Sequence, residues 1–317
     1  MKIGLVVDSS CDLPYTFFEE GSIELMPTTL RIGDQIFEDR RNKTQTITFH
    51  AEHMNQKNDI EIESIPYSSE QIEKLFLDKL VRKYDHVFCL TVTQSRSNIY
   101  ENATKASIGI LSKYKRVRHE AGIDGHFSLA VINSCNIFTG TAVLATEVIR
   151  MIKAGAAPSV IDSRIRELVP HTYCYMVPPN LTHIYKRASK RGDKSISWAG
   201  FMLGSVLDIK PILLGHMDET GPVAKMRHFD AAVETMFANV TRAVRAGLSA
   251  PAICIGYGGD PVAVHSMPGF MQLKAAAEAA GVAIHLAPMS MTGGVHTGPG
   301  CVTVAFVSDK HIFEEKV

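Results

Sequence analysis

Buried-looking apolar runs alternate with amphipathic helical stretches along most of this sequence, and that alternation restricts the chain to a few architectures. Ile3 to Val7 reads as a strand, and Asp12-Leu13-Pro14 opens a helix through Phe17 and Phe18. Ile23 to Leu30 reads as extended chain around Pro27. Ser69 to Tyr84 places Ile72, Leu75, Phe76 and Leu80 on one helical face, and Ser68 and Gln71 before it have capping-box spacing. Val87 to Val92, a helix from Ser97 to Leu111, Leu129 to Ile132 and a helix from Gly140 to Ala154 continue the pattern. Such repetition predicts a mostly parallel sheet flanked by helices. Ligands of these sheets bind beyond the carboxyl ends of the strands. That directs attention to Asp8-Ser9-Ser10, Thr93 to Asn98 and Asn133-Ser134.

Gly155-Ala156-Ala157-Pro158 reads as a boundary, dividing the chain into α/β units at 1–157 and 158–317. The second unit reads as a helix from Val160 to Leu168, a strand from Thr172 to Val177 and an apolar helix from Trp198 to Val206. A strand at Lys210 to Leu214 then leads into a hairpin-like Met217 to Gly221. A long helix from Phe229 to Leu248, a strand at Ile253 to Tyr257, a helix from Met271 to Ala280 and a short strand at His285 to Pro288 complete it.

Lysine plus arginine equals aspartate plus glutamate at 33 each, so no net charge draws the chain to nucleic acid or an anionic membrane. The first apolar run is too short for a signal-peptide core, and no later one reaches membrane-spanning length. Six scattered cysteines without a Cys-x-x-Cys pair fit small buried hydrophobes in a reduced cytoplasm rather than a disulfide framework or structural zinc.

Chemistry-bearing residues concentrate in a few places. Gly293-Gly294-Val295-His296-Thr297-Gly298-Pro299-Gly300 holds an imidazole and a hydroxyl on what reads as a tight glycine-rich loop before the apolar run Val302 to Val307. Thr91 to Asn98 crowds polar side chains between a strand and a helix, which suits an anionic group. Asp8 after the first strand has the position of a nucleophile or magnesium ligand, but no second acidic cluster accompanies it and a turn carboxylate is the simpler reading. His50 and His53, at helical i,i+3 spacing, lack a third ligand and read as a solvated helix face. No Walker lysine motif, dinucleotide fingerprint or nucleophile elbow is present.

Taken together, these pieces resemble the DegV family of bacterial fatty-acid-binding proteins along nearly the whole chain. Val6 to Pro14, Phe37-Glu38-Asp39, Ile65-Pro66, Asn133-Ser134 with Gly140, Gly204 to Ile212, Pro222 to Arg227 and His296 to Gly300 stand in that family's order. Three stretches depart from its pattern. Glu63-Ser64-Ile65-Pro66 replaces Thr-Ser-Gln-Pro, and Asp193 to Ser197 lacks the arginine of Gly-Gly-Arg-Ile-Ser. Thr93 to Tyr100 replaces Ser-Ser-x-Leu-Ser-Gly-Thr-Tyr, so that Thr93 keeps a hydroxyl and the glycine is lost.

The resemblance implies two α/β domains with a long-chain fatty acid between them and no cofactor, metal or catalysis of its own. Hydroxyls of the first domain would hold the carboxylate, an apolar tunnel in the second would hold the chain, and a separate fatty-acid kinase is the implied partner. On this reading Ser64, Thr93, Gln94, His296 and Thr297 bind the head group, with Thr93 and His296 sharing one ligand oxygen or bonding each other. Phe201, Met202 and Ile212 would line the acyl slot, and Glu63 would face solvent. The alternative is a phosphoryl- or acyl-transfer enzyme using Asp8 or His296.

Overall fold

A computed structural model describes residues 1–20, 23–53, 62–181, 184 and 208–315. The described strands form three sheets. β1 (Ile3–Asp8), β2 (Glu24–Met26), β6 (His86–Thr91) and β7 (Ser128–Asn133) form an all-parallel sheet in the order β2-β1-β6-β7. β1 and β6 are buried beyond their first residue, which explains why they read as unbroken apolar runs. A small antiparallel sheet, β4-β3-β5, comprises β3 (Thr28–Ile32), β4 (Gln35–Asp39) and β5 (Ile62–Pro66). It was not foreseen beyond the extended chain around Pro27.

The large sheet has the order β10-β9-β8-β13-β11-β12. It comprises β8 (Thr172–Val177), β9 (Ile209–His216), β10 (Glu219–Arg227), β11 (Ala252–Tyr257), β12 (Ala283–Pro288) and β13 (Val302–Val307). Only its β11–β12 pair is parallel.

Around the parallel sheet lie α1 (Tyr15–Glu19), α3 (Ser69–Leu75), α4 (Val81–Lys83), α5 (Ile99–Gly109) and α6 (Tyr114–Glu120), whereas α2 (Lys43–His53) packs through Phe49 against Leu30 and Ile32 of the small sheet. The predicted capping box forms at α3: Ser68 accepts from the Gln71 amide while the Gln71 side chain accepts from the Ser68 amide. A π-helical turn at Phe76–Leu80 joins α3 to α4.

α7 (Thr139–Lys153) is the spine of the molecule. Every residue from Thr139 to Ile149 is buried, because the helix packs on β1 and β6 from one side and on β8, β11 and β13 from the other. A helix covered all round must be apolar or small nearly everywhere, and Gly140, Ala142 and Ala145 meet that demand. Its buried Glu147 accepts a two-bonded contact from Arg150 at 2.7 and 2.8 Å.

α8 (Pro158–Leu168) follows α7, and α9 (Phe229–Ala246) and α10 (Phe270–Ala279) cover the far face of the large sheet. Alternation along the strands divides that sheet's side chains. Cys174, Met176, Leu213 and Cys254 face α7, whereas Tyr175, Val177, Ile212 and Ile253 face α9 and α10. All six cysteines are free, and five are buried.

The glycine-rich segment before β13 is a short helix, α11 (Met291–Thr297), rather than the tight loop its composition predicts. Ser290 caps it by accepting the Gly293 amide at 2.9 Å, and Gly298, at φ 85°, ends it. Its glycines permit close approach. A methyl group on Gly294 would sit 2.6 Å from Cε1 of His50 on α2. His50 is buried, with Nε2 2.8 Å from the carbonyl of Met289, and not on a solvated face.

A buried ionic cluster fixes the other side of α11. The Arg41 guanidinium donates to the carbonyls of Leu13 and Pro288 at 3.0 and 3.1 Å and lies 3.5 Å from Asp12. Asp12 accepts the Ser290 amide, and Asp39 accepts both the amide and the hydroxyl of Thr292, each at 2.8 Å. Asp12, Asp39 and Arg41 are all fully buried side chains. Burial, opposed by Arg41, pushes the Asp12 carboxyl up from 3.8 to about 6. Its Oδ2 has no hydrogen-bond partner among the described residues, which gives a proton somewhere to sit.

Two outcomes are expected. Gly294→Ala should destabilise the fold by about 1–3 kcal/mol in urea titration, because the ring of His50 is pinned and cannot retreat. A carboxyl whose pKa is raised by folding contributes stability that is present at low pH and lost as pH rises through about 6. Wild-type protein should therefore gain on the order of 1–2 kcal/mol relative to Asp12→Asn when pH falls from 7 to 4.5, read as the difference between their denaturation midpoints.

Candidate functional site

The carboxyl ends of β6 and β7, the strand β5, the helix α11 and the β9–β10 hairpin surround a cavity of about 400 Å³. That volume falls within the range of small-molecule sites. Its lining is chemically mixed. Ser64, Gln94, Ser95, His296 and Thr297 contribute polar groups, while Val92, Ile99, Ile137, Phe138, Met176 and Leu213 contribute apolar surface.

Alternation in β5 sets the polar end. Ser64 and Pro66 turn to the cavity, whereas Glu63 and Ile65 turn outward. Glu63 is half-exposed and pairs with Arg31, its register partner on β3, so it places no carboxylate in the cavity. The Ser64 hydroxyl lies 3.0 Å from Nε2 of His296 on α11. Thr297, next along, is buried, and its hydroxyl donates back to the carbonyl of Gly293 at 3.1 Å.

Thr93 has a different role from the one predicted. Both central residues of the β9–β10 turn, Met217 and Asp218, have positive φ (48° and 66°), as a tight two-residue hairpin requires. The turn directs Asp218 to the first sheet, where it accepts the Thr93 hydroxyl and, at 3.1 Å, the Asn133 amide. Partial burial works against the Asp218 carboxylate, but these donors outweigh it and hold its pKa below the usual range. Thr93 thus anchors the hairpin and is absent from the cavity wall, and His296 meets Ser64 instead. Gln94 does reach the cavity.

The remaining sequence candidates separate in the same way. Ile212 faces the core under α9, and its neighbour Leu213 faces the cavity, because successive strand residues point to opposite sides. Phe201 and Met202 lie outside the described residues. Asp8 borders the cavity, yet its carboxylate caps the turn after β1. Oδ1 accepts the amide and hydroxyl of Ser10 at 2.9 and 2.5 Å, and Oδ2 accepts the Val92 amide at 2.7 Å. Burial raises its pKa in spite of these bonds.

Residue-level reading missed Ile137, Phe138 and Met176. Phe138 has φ 46°, an uncommon conformation for a bulky residue, and it turns the chain into α7 beside the cavity. The signal available was the Asn133-Ser134 element with Gly140. Gly140 packs against Asn136, whose side chain donates to the carbonyl of Thr172 at 2.9 Å and ties this loop to β8. Among the described residues no group of three or more His, Cys, Asp or Glu side chains could hold a metal ion, and no helix is long and apolar enough to cross a membrane.

Comparison with known proteins places this geometry in a family. The family model described as "Uncharacterised protein, DegV family" matches residues 2–309. A DegV domain-containing protein of Xanthomonas campestris is 42% identical over 313 residues, covering 99% of each chain. Another, from Clostridium acetobutylicum, is 24% identical over 319 residues, covering 98% of this chain and all of its own. A DegV lipid-binding protein from Thermotoga maritima superposes with a TM-score of 0.75 at 18% identity, over 98% of this chain and 100% of that one. A stearic acid-binding protein from Eubacterium ventriosum gives 0.75 at 18% identity, over 96% and 98%. The match over nearly the full length, in sequence and in fold, makes this chain a member of the DegV family.

Proposed function

We propose that this protein binds a long-chain fatty acid, with the carboxylate at Ser64 and His296 and the acyl chain against Ile137, Phe138, Met176 and Leu213. The observation that carries the reading is the mixed lining: a hydroxyl and an imidazole 3.0 Å apart share one cavity with the apolar side chains of Ile137, Phe138, Met176 and Leu213. An amphiphile with one polar end matches that combination. Burying about fourteen methylenes at ~0.8 kcal/mol each contributes at most ~11 kcal/mol. The carboxylate must keep its hydrogen bonds, since burying it bare would cost several kcal/mol. The Thermotoga and Eubacterium relatives named as lipid- and stearic acid-binding proteins support the ligand class.

The division of labour belongs to the same proposal. Residues 1–157 supply Ser64, Gln94, Ile137 and Phe138, and residues 158–317 supply Met176, Leu213, His296 and Thr297. The protein acts as a cytoplasmic holder that presents the acid to a fatty-acid kinase and performs no chemistry itself. Transfer chemistry at Asp8 finds no support, because both carboxylate oxygens already serve the turn.

Mass spectrometry of the organic extract of purified protein should show a co-purifying fatty acid, and an empty protein that takes up none would end the proposal. Ser64→Ala and His296→Ala should each weaken fatty-acid affinity by about tenfold or more, as loss of a hydrogen bond to a charged group does. Thr93→Val should act through Asp218 instead, lowering the unfolding midpoint.

A further inference from the structure

One wall of the cavity is built on an edge strand. Thr220, Gly221 and Pro222 of β10 line the cavity together with Leu213 of β9. β10 is paired on one side only, and its ladder with β9 is irregular between Pro222 and Ala224. β9 in turn meets β8 at three positions, Cys174–Gly215 to Met176–Leu213. The turn that joins β9 to β10 is a poor one by sequence. Positive φ at both central positions favours Asn-Gly or Asp-Gly, but Met217 and Asp218 stand there. Bonds from the first sheet hold it instead. The Asp218 carboxylate accepts the Thr93 hydroxyl and the Asn133 amide, its own amide donates to the carbonyl of Cys135 at 2.9 Å, and its carbonyl accepts the Ser95 hydroxyl at 2.6 Å. All four partners lie at the carboxyl ends of β6 and β7.

We propose that the β9–β10 hairpin is a gate through which the lipid enters and leaves, and that Asp218 is the positioning residue that latches it. The proposal rests on the lipid-binding reading above. Asp218, Thr93, Asn133 and Cys135 do not line the cavity, so the latch is the same in the empty and the loaded protein. Weakening it destabilises both closed forms equally relative to the open one. The ligand then goes on and off faster by one common factor, and Kd scarcely moves. A residue that touches the ligand behaves differently, because its loss raises the off-rate and weakens affinity with it.

Stopped-flow binding of a fluorescent long-chain fatty acid, and its displacement by palmitate, would be measured for wild type, Asp218→Gly, Asp218→Asn and Asp218→Cys. Glycine suits the positive φ, so Asp218→Gly keeps the turn and removes the carboxylate. Its on- and off-rates should each rise about tenfold or more, with Kd within about threefold of wild type. Asp218→Asn can still accept a hydrogen bond and should fall between the two. Deuterium exchange at the amides of residues 213–222 should quicken in step with the rates. Asp218→Cys adds reversible control, because its main chain is bonded to that of Cys135 and the other five cysteines are buried. Reduced, this variant should exchange ligand as fast as Asp218→Gly, and bridged to Cys135 it should exchange more slowly than wild type. Should no bridge form, the glycine variant decides alone. Unchanged rates in Asp218→Gly would overturn the gate, as would a loss of affinity that tracks the off-rate. Failure of wild type to bind either fatty acid would end the lipid-binding reading, and the gate with it.

Discussion

A buried guanidinium between two buried carboxylates determines where the candidate site forms. Removing Asp12, Asp39 and Arg41 from water is costly, and the cost is offset by the partners that the group finds, with only Asp12 Oδ2 and Arg41 Nε left without one among the described residues. Those partners are informative. Arg41 binds the carbonyls of Leu13 and Pro288, and the two aspartates bind the first residues of α11. The start of α11 is thereby tied to loops of the two amino-terminal sheets. His296, near the other end of this short helix, has little freedom to be anywhere but opposite Ser64.

Two further ties act on the same cavity from other directions. α7 is packed between the parallel sheet and the large sheet, so the two cannot slide apart without exposing its buried apolar residues. The β9–β10 turn reaches across to Thr93 and Asn133 through Asp218. Each tie joins residues distant in sequence, and between them they enclose the space that Ile137, Phe138, Met176 and Leu213 line.

The layered architecture was legible in the sequence because its cause is local: apolar runs mark buried strands, and the Ser68–Gln71 capping box announces its helix. The small antiparallel sheet was not, since its strands are half-exposed and carry no continuous apolar run. The glycine-rich segment misled for a physical reason. Gly293 and Gly294 are poor helix formers, and the helix exists because Ser290, Asp39 and the His50 contact hold it from outside. Ser64 and His296 stood out individually, but nothing local shows that residues 232 positions apart meet. The same applies to Thr93. Its hydroxyl was visible, its carboxylate partner in a distant turn was not, and the choice between Ile212 and Leu213 depended on which face of β9 met α7.

The strand order of the large sheet carries a consequence for biosynthesis. β13 lies between β8 and β11, in the interior of the sheet, yet it follows every other strand of that sheet in the chain. Until β13 leaves the ribosome, β8-β9-β10 and β11-β12 are two separate fragments, each with an open edge able to pair with a neighbouring nascent chain. Closure of the sheet, burial of α7 and assembly of the cavity wall must therefore wait for the same final apolar strand, Val302–Val307. Such a chain gains from a chaperone that shields strand edges late in synthesis, and a nonsense codon upstream of residue 302 would yield an aggregating product rather than a partly working one.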